Sequence, residues 1–260
     1  SPLPSSPLPS SPLLVDFSPT SRLWMIRIHG ILMVIPWLSL IPSSIVSARY
    51  LRNEWKSIPP RGLNMWFHIH RTLNWISLLL LTISTLLVLI AKDFKWKGPW
   101  PNKPPGKSTS PCAIHSLIGT MSLVGTLLQF ISAFIRPSPD SKLRPYFNVF
   151  HRSIGILSLI FALIATILAS SFFFKYWSDY WKAFLLTLLS SLFIILSFVV
   201  FEIEKRLRHK NENEDIEMNG GMNSMPIHSI KESIIRKMLF LFISCASFLL
   251  SVYITLHLIL

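Results

Sequence analysis

Long apolar runs, separated by shorter polar or basic stretches, dominate the pattern of this chain. Six of them reach the roughly 20 residues that an α-helix needs to cross the hydrocarbon core of a bilayer. They cover approximately residues 23–48, 63–91, 112–135, 146–174, 182–201 and 237–260. Pro36 and Pro42 fall inside the first run and predict kinks there, which neighbouring membrane helices can accommodate. The pattern therefore predicts an all-α integral membrane protein with six transmembrane helices.

The stretches outside these runs divide the chain into four parts. Residues 1–21 alternate Ser, Pro and Leu, with too little apolar mass to pack and too many prolines for a helix, so we expect a disordered leader. Residues 22–204 form the main transmembrane domain. Residues 205–236 mix both charges without periodicity, which predicts a flexible charged loop. Residues 237–260 are an additional transmembrane helix.

Composition and charge agree with a bilayer as the main partner. The mean hydropathy is +0.50, and 25 Lys and Arg against 12 Asp and Glu give a formal charge of +13. Basic loops between apolar spans are typical of contact with anionic lipid, so we expect no nucleic-acid partner. Cys112 and Cys245 lie at the head of one span and inside another, which predicts two free thiols. Oligomeric state stays open at this stage, with a homodimer as one option.

One histidine lies near the N-terminal end of each of the first four runs. They are His29, His70, His115 and His151. Consecutive helices joined by short loops alternate in direction, so His29 can meet His115 on one side of the membrane and His70 can meet His151 on the other. Each pair can clamp a heme iron through neutral imidazole nitrogens. The pattern indicates a four-helix core holding two bis-histidine hemes, followed by two further helices.

Two glycines support a heme beside these histidines. We do not expect the other four histidines to bind heme. Gly119 and Gly155 follow their histidines at i+4 on the same helical face, where a flat ligand can lie against the backbone. His68 lies two residues before His70 and therefore points to nearly the opposite face. We interpret the following as interfacial residues without a ligand: His68, His209, His228 and His257. Structural zinc fits less well, because closed zinc sites want four ligands.

Two other classes of function remain as alternatives. Between their terminal basic residues the six runs contain no Asp, Glu, Lys or Arg. Ion-coupled transporters place acidic groups inside the bundle, which weakens that class. A small-molecule transporter and a non-redox membrane scaffold stay as alternatives to a redox protein.

Several motifs, taken in order, resemble the cytochrome b561 family, in particular the subgroup often fused behind an extracellular DOMON domain. The matching segments are Arg-Ile-His29-Gly-Ile-Leu-Met, Ala48-Arg-Tyr50, Trp66-Phe-His-Ile-His70-Arg, His115-Ser-Leu-Ile-Gly with Gln129, Arg136-Pro-Ser-Pro-Asp and Phe147-Asn-Val-Phe-His151. The resemblance implies two b-type hemes and an oxidoreductase that moves electrons across the membrane. It further implies cytosolic ascorbate as the donor and ferric iron or monodehydroascorbate as the acceptor.

Orientation follows from the basic residues together with the resemblance. With loops assigned alternately, nine of the 25 Lys and Arg fall on the side of the N-terminus and 16 on the other. Positive charge marks the cytoplasmic side, so we expect a multi-pass protein of the plasma membrane or an endomembrane with a non-cytosolic N-terminus. Cations at the cytosolic edge that could hold propionates or an anionic donor are Arg71, Lys142, Arg144 and Arg152. On the other edge Arg27 lies nearest to a heme histidine.

Overall fold

Seven α-helices build the structure, a computed structural model that describes residues 17–54, 64–102, 104, 106–219 and 227–260. The helices are α1 (Pro19–Ile35), α2 (Ile41–Tyr50), α3 (Met65–Ala91), α4 (Pro111–Phe134), α5 (Arg144–Phe172), α6 (Tyr180–Asn219) and α7 (Ile227–Ile259). A π-helical turn, Pro36–Leu40, joins α1 to α2, so these two form one membrane span. Six spans in the described residues are long and apolar enough to cross a membrane. The predicted fold class is therefore confirmed.

Helix starts follow local signals in the sequence. Ser18 caps α1 by accepting a hydrogen bond from the amide of Ser21, and Ser110 caps α4 by accepting one from Ala113. A proline follows each cap, where its fixed φ suits the first helical turn and its missing N–H costs nothing. These caps fix the residues at which the first and third membrane spans begin.

The two prolines in the first span do not break it. Pro36 opens the π-helical turn and Pro42 lies in the first turn of α2. A proline removes one backbone hydrogen bond from a helix, and the wider π turn accommodates that loss without ending the span. The turn is also well packed, since Trp37 and Leu38 are buried.

The helices pack as two pairs plus a C-terminal hairpin. α3 packs along α1 and α2, α4 packs along α5, and α6 and α7 pack on each other and on the first span. α4 approaches α5 closely at Gly125, where a Cβ would overlap the Ser158 hydroxyl. Aromatic side chains bridge α3 and α4, with 4.6 Å between the ring centroids of Trp75 and Phe130. Aromatic side chains thus link the α1–α3 pair of helices to the α4–α5 pair.

Alternating helix direction brings defined ends together. The start of α1 meets the end of α3, where Arg22 donates to the Asp93 carboxylate at 2.7 Å and to the Ala91 carbonyl at 3.1 Å. The hydrogen bond from Arg22 holds the pKa of Asp93 below its usual range. We call this end of the bundle, with the starts of α1, α4 and α6, the N-terminal side. The opposite end, with the starts of α3, α5 and α7, is the Arg49 side, named after the ion pair that Arg49 forms there with Glu202 of α6 at 2.8 Å.

Two sequence predictions need correction here. The region 205–236 was expected to be a flexible loop, but α6 continues to Asn219 and α7 begins at Ile227, with 220–226 outside the described residues. Glu, Lys and Arg are good helix formers, so they extend a helix that the membrane span has already nucleated. The leader was expected to run to residue 21, whereas α1 begins at Pro19; residues 1–16 lie outside the description.

Candidate functional site

The structure brings the four predicted histidines together as two pairs. His29 on α1 lies close to His115 on α4, and His70 on α3 lies close to His151 on α5. The first pair belongs to the N-terminal side and the second to the Arg49 side, as helix direction predicts. All four imidazoles are half-buried.

At the N-terminal side, neighbouring helices orient both imidazoles. Nδ1 of His29 lies 3.1 Å from the carbonyl oxygen of Ser84 and 2.9 Å from its hydroxyl. The Ser84 hydroxyl donates in turn to the His29 carbonyl at 3.0 Å. Nδ1 of His115 lies 3.0 Å from the Ala165 carbonyl oxygen, and Phe173 meets the His115 ring edge to face. Each histidine is therefore held by the helix that carries a histidine of the other pair.

The Arg49 side repeats this arrangement. Nδ1 of His70 lies 2.9 Å from the Ser44 hydroxyl and 3.2 Å from the Ser44 carbonyl oxygen. Asn74 donates to the His70 carbonyl at 2.6 Å and also contacts the Ser44 hydroxyl. Nδ1 of His151 lies 3.2 Å from the Ser132 hydroxyl.

These contacts assign the proton of each imidazole. A carbonyl oxygen only accepts, so Nδ1 of His29, His70 and His115 carries the hydrogen. At His151 the Ser132 hydroxyl already donates to the Gln129 carbonyl at 2.8 Å, so it accepts from Nδ1. In all four rings Nε2 then keeps its lone pair and has no hydrogen-bond partner among the described residues. A hydrogen-bonded Nδ1–H with a free Nε2 is the usual state of a metal-ligating histidine.

Buried polar atoms next to the pairs test the fit of a heme. Arg27 Nε lies within one turn of His29, and Trp66 Nε1 lies within one turn of His70. Both donors are buried and have no hydrogen-bond partner in the part of the chain that the structure describes. Buried donors are normally paired, so the Trp66 indole is suited to an anionic group such as a heme propionate. Arg27 lies two residues before His29, on nearly the opposite helical face, with its guanidinium over the Trp24 ring. Around Gly119 a Cβ would meet nothing within 4 Å, which leaves room for a planar ligand beside His115.

A closed metal site of another kind is not formed by these residues. No group of three or more His, Cys, Asp or Glu side chains that could hold a metal ion occurs within the described ranges. Two imidazoles at each end, with no further ligand nearby, suit an iron whose other four ligands come from a porphyrin. The residues present therefore fit heme.

Arginines and aromatic rings surround the His70/His151 pair. Arg136 and Arg71 lie over the Phe67 ring, and Arg144 lies over Phe147, which itself stacks on His151. Burial, together with the charges of Arg144 and Arg52, lowers the pKa of Arg136. Like charges gathered in this way favour an anion between them. The two other predicted cations, Lys142 and Arg152, are exposed.

Comparison with known proteins now adds to this geometry. The family model for eukaryotic cytochrome b561 matches residues 28–175, which contain all four histidines. The chain belongs to this family. Membership implies a b-type heme, and the b561 region covers α1 to α5 together with the turn that follows α5.

The relatives of this b561 chain include proteins named as reductases. It is 29% identical over 163 residues to a Drosophila melanogaster protein whose name assigns it as a ferric-chelate reductase 1 homolog, covering 62% of this chain and 23% of that one. It is 25% identical over 144 residues to human ferric-chelate reductase 1, covering 55% and 22%. A cytochrome b561 and DOMON domain-containing protein of Arabidopsis thaliana is 27% identical over 164 residues, covering 60% and 36%.

These matches are partial. The chain spans about a quarter to a third of the length of these curated relatives. No solved structure matches it.

Several residues of the b561 site were not predicted. Ser44, Ser84 and Ser132 orient three of the four histidines, and Trp66 supplies an unpartnered donor. Their signal in the sequence is weak, since buried serines also occur where membrane helices merely pack. Of the remaining histidines, His68 is half-buried, His209 is exposed and His257 contacts Ser178, while the His228 side chain is outside the description.

Replacing Ser44 with alanine tests the orienting role of these serines. The change removes the hydroxyl that contacts Nδ1 of His70, and loss of such a partner typically weakens metal binding by about 10-fold to 100-fold. We expect a comparable loss of heme affinity at the His70/His151 site, measured by heme titration of the apoprotein. Ser43→Ala is the matched control, because Ser43 instead lines a cavity with α6 and α7. Equal losses in both variants would contradict the assignment.

Proposed function

We propose that this chain moves electrons across a membrane through two b-type hemes, one held by His29 and His115 and the other by His70 and His151. The observation that carries this proposal is the shared state of the four imidazoles: each Nδ1 is engaged by a neighbouring helix and each Nε2 is left free. Placement of the two pairs at opposite ends of the spans supports a path that crosses the membrane.

The chemistry that heme supplies when bound is one-electron change between ferric and ferrous iron. His29 with His115 and His70 with His151 would hold the two irons, so the chain would offer each iron two protein ligands and supply electron transfer rather than oxygen or peroxide chemistry. The chain would then bind the hemes, orient the histidines that hold them and exclude water from the irons. Ser44, Ser84 and Ser132 hold the rings, while Trp66 offers a donor for the carboxylates of the cofactor.

We propose cytosolic ascorbate as the donor, with ferric iron or monodehydroascorbate as the acceptor on the far side. The names of the ferric-chelate reductase relatives support an iron acceptor. The N-terminus is then non-cytosolic and the Arg49 side cytosolic, since the larger share of positive charge lies on that side. Arg71, Arg136 and Arg144 give the cytosolic end an environment suited to an anionic reductant.

An absorption spectrum of the purified protein tests the proposal. A bis-histidine b-type spectrum that appears on reduction, with two heme equivalents per chain, is the expected result. A colourless protein that folds and inserts normally would instead favour a non-redox membrane scaffold.

Charge removal at Lys142 and Arg144 tests the donor. Arg144 lies beside the Phe147 ring that stacks on His151, and Lys142 is exposed two residues earlier in the chain. Hydrogen bonds to charged groups contribute about 1.5–3 kcal/mol, so Lys142→Gln with Arg144→Gln should raise the ascorbate concentration for half-maximal reduction roughly tenfold or more. Heme content should stay unchanged. Lys107→Gln, on the N-terminal side, is the control. Wild-type kinetics in the double variant would mean that another donor or a partner protein supplies the electrons.

A further inference from the structure

The last helix, α7, lies outside the residues that match the b561 family, yet a buried ion cluster ties its first turns to the Arg49 side. Nε of Arg236 donates to the Glu54 carboxylate at 2.6 Å, and the Ser233 hydroxyl donates to the same carboxylate at 2.5 Å. Arg236 also donates to Glu204 of α6 at 3.0 Å, and Arg208 lies 3.6 Å from Glu54. Three separate parts of the chain therefore meet at one carboxylate.

This cluster is deeply buried for a group of charges. The side chain of Glu54 is 3% exposed and that of Arg236 is 8% exposed. Burying an ion pair costs desolvation free energy, and apolar side chains of the same volume often stabilise a fold equally well. The buried ion pair is therefore better explained by the position in which it holds this part of the chain than by a gain in the free energy of unfolding.

The ion pair between Arg236 and Glu54 fixes the position of the turn Leu51–Glu54. Glu54 ends this turn, and its amide donates to the Leu51 carbonyl at 3.1 Å. Arg52 projects from the same turn over the Trp66 ring, 5.3 Å from its centroid. Trp66 carries the unpartnered indole N–H within one turn of His70, and the charge of Arg52 also reaches Arg136. A change in the turn would thus move a cation that lies over Trp66, one helical turn before His70, and close to Arg136.

We propose that Arg236 is a positioning residue for the His70/His151 site: it holds Glu54, and through the turn it keeps the Arg52 guanidinium beside that site. The inference rests on the proposed function. A fixed cation favours the reduced form of a neighbouring iron, because reduction removes one positive charge. α7 would in this way raise the midpoint potential of the cytosolic heme without touching it.

The main test is a potentiometric titration of Arg236→Met. We expect the heme that depends on His70 to become about tenfold harder to reduce at a given potential, a fall of about 59 mV for one electron. The other heme should keep its potential. Arg52→Gln should give the same shift, and the double variant should show no additional shift, because both changes act through one cation. Arg236→Lys should restore most of the wild-type potential.

Controls separate positioning from general damage. Arg22→Met removes an ion pair at the opposite end of the bundle and should leave the potential of the His70-dependent heme unchanged. Arg236→Met leaves Glu54 in contact with Ser233 and Arg208 only, and if that variant does not fold, Arg236→Met with Glu54→Gln removes both charges of the close pair and carries the same expectation. Equal shifts at both hemes, or additive shifts of Arg236→Met and Arg52→Gln, would overturn the inference.

A second readout does not depend on heme. Amide hydrogen exchange over the turn Leu51–Glu54 should become faster in Arg236→Met and stay unchanged in Arg22→Met. If amide exchange is unchanged in Arg236→Met and the protein holds both hemes, the positioning role of Arg236 is overturned while the proposed function stands. A colourless wild-type protein would overturn the proposed function, and with it the effect on potential, whatever the exchange shows.

Discussion

Replacing His70 with alanine is expected to remove about half of the bound heme, and His151→Ala should do the same. Each variant deletes one of the two imidazoles that would bind the same iron on the Arg49 side. The remaining histidine would then be the one ligand of the pair left to hold that iron. The measurement is heme content per polypeptide, read from the reduced spectrum of purified protein.

His68→Ala is the matched control for this experiment. His68 precedes His70 on the same helix but lies on nearly the opposite face, so its removal should leave heme content unchanged. The serine contacts support this choice, since Ser44 lies against His70 and orders its ring. If His68→Ala loses heme while His70→Ala keeps it, the ligand is His68 rather than His70.

Placing a leucine at Gly119 is expected to empty the site at the N-terminal side. Gly119 follows His115 on the same helical face, and a Cβ there would meet no atom within 4 Å. The protein alone can therefore accept a side chain at this position, whereas a planar cofactor beside His115 could not share the space. We expect Gly119→Leu to lose most of the heme bound by His29 and His115, while the thermal stability of the apoprotein changes little.

Gly125→Leu on the same helix should behave in the opposite way. A side chain at Gly125 overlaps Ser158 of α5, so this variant should destabilise the packing of α4 on α5. Thermal unfolding and heme content, measured together, separate the two effects. Full heme content at both sites in Gly119→Leu would contradict the placement of a cofactor beside His115.

The six spans and the proximity of the histidines in two pairs could be predicted from the sequence for physical reasons. A bilayer demands long uninterrupted apolar helices, and short loops force alternate directions, so the depth of each histidine in its span largely decides which partner it meets. The structure brings His29 to His115 and His70 to His151 accordingly.

The contacts that orient the histidines depend on helix register and were not accessible. Ser84 reaches His29 only because α1 and α3 cross at a particular rotation, and hydropathy carries no information about rotation. Ser44 and Ser43 are neighbours in the sequence, yet one contacts His70 and the other lines a cavity.

The prediction for residues 205–236 was wrong for a related reason. Mixed charge without periodicity was interpreted as a loop, although Glu204, Arg208 and Arg236 form ion pairs across two helices and to Glu54. Such pairs need a partner from a distant part of the chain, which no local pattern reveals.

Electron transfer across a sealed membrane tests the central claim most directly. The protein is reconstituted into vesicles with ascorbate inside and a ferric chelate outside, and ferrous iron is followed with a chelator that does not cross the bilayer. Ferrous iron should form outside only when the protein is present, and it should be lost in His70→Ala and in His29→Ala but not in His68→Ala. Absence of protein-dependent ferrous iron, with ascorbate or with a stronger impermeant reductant inside, would contradict electron transfer across the membrane by this chain.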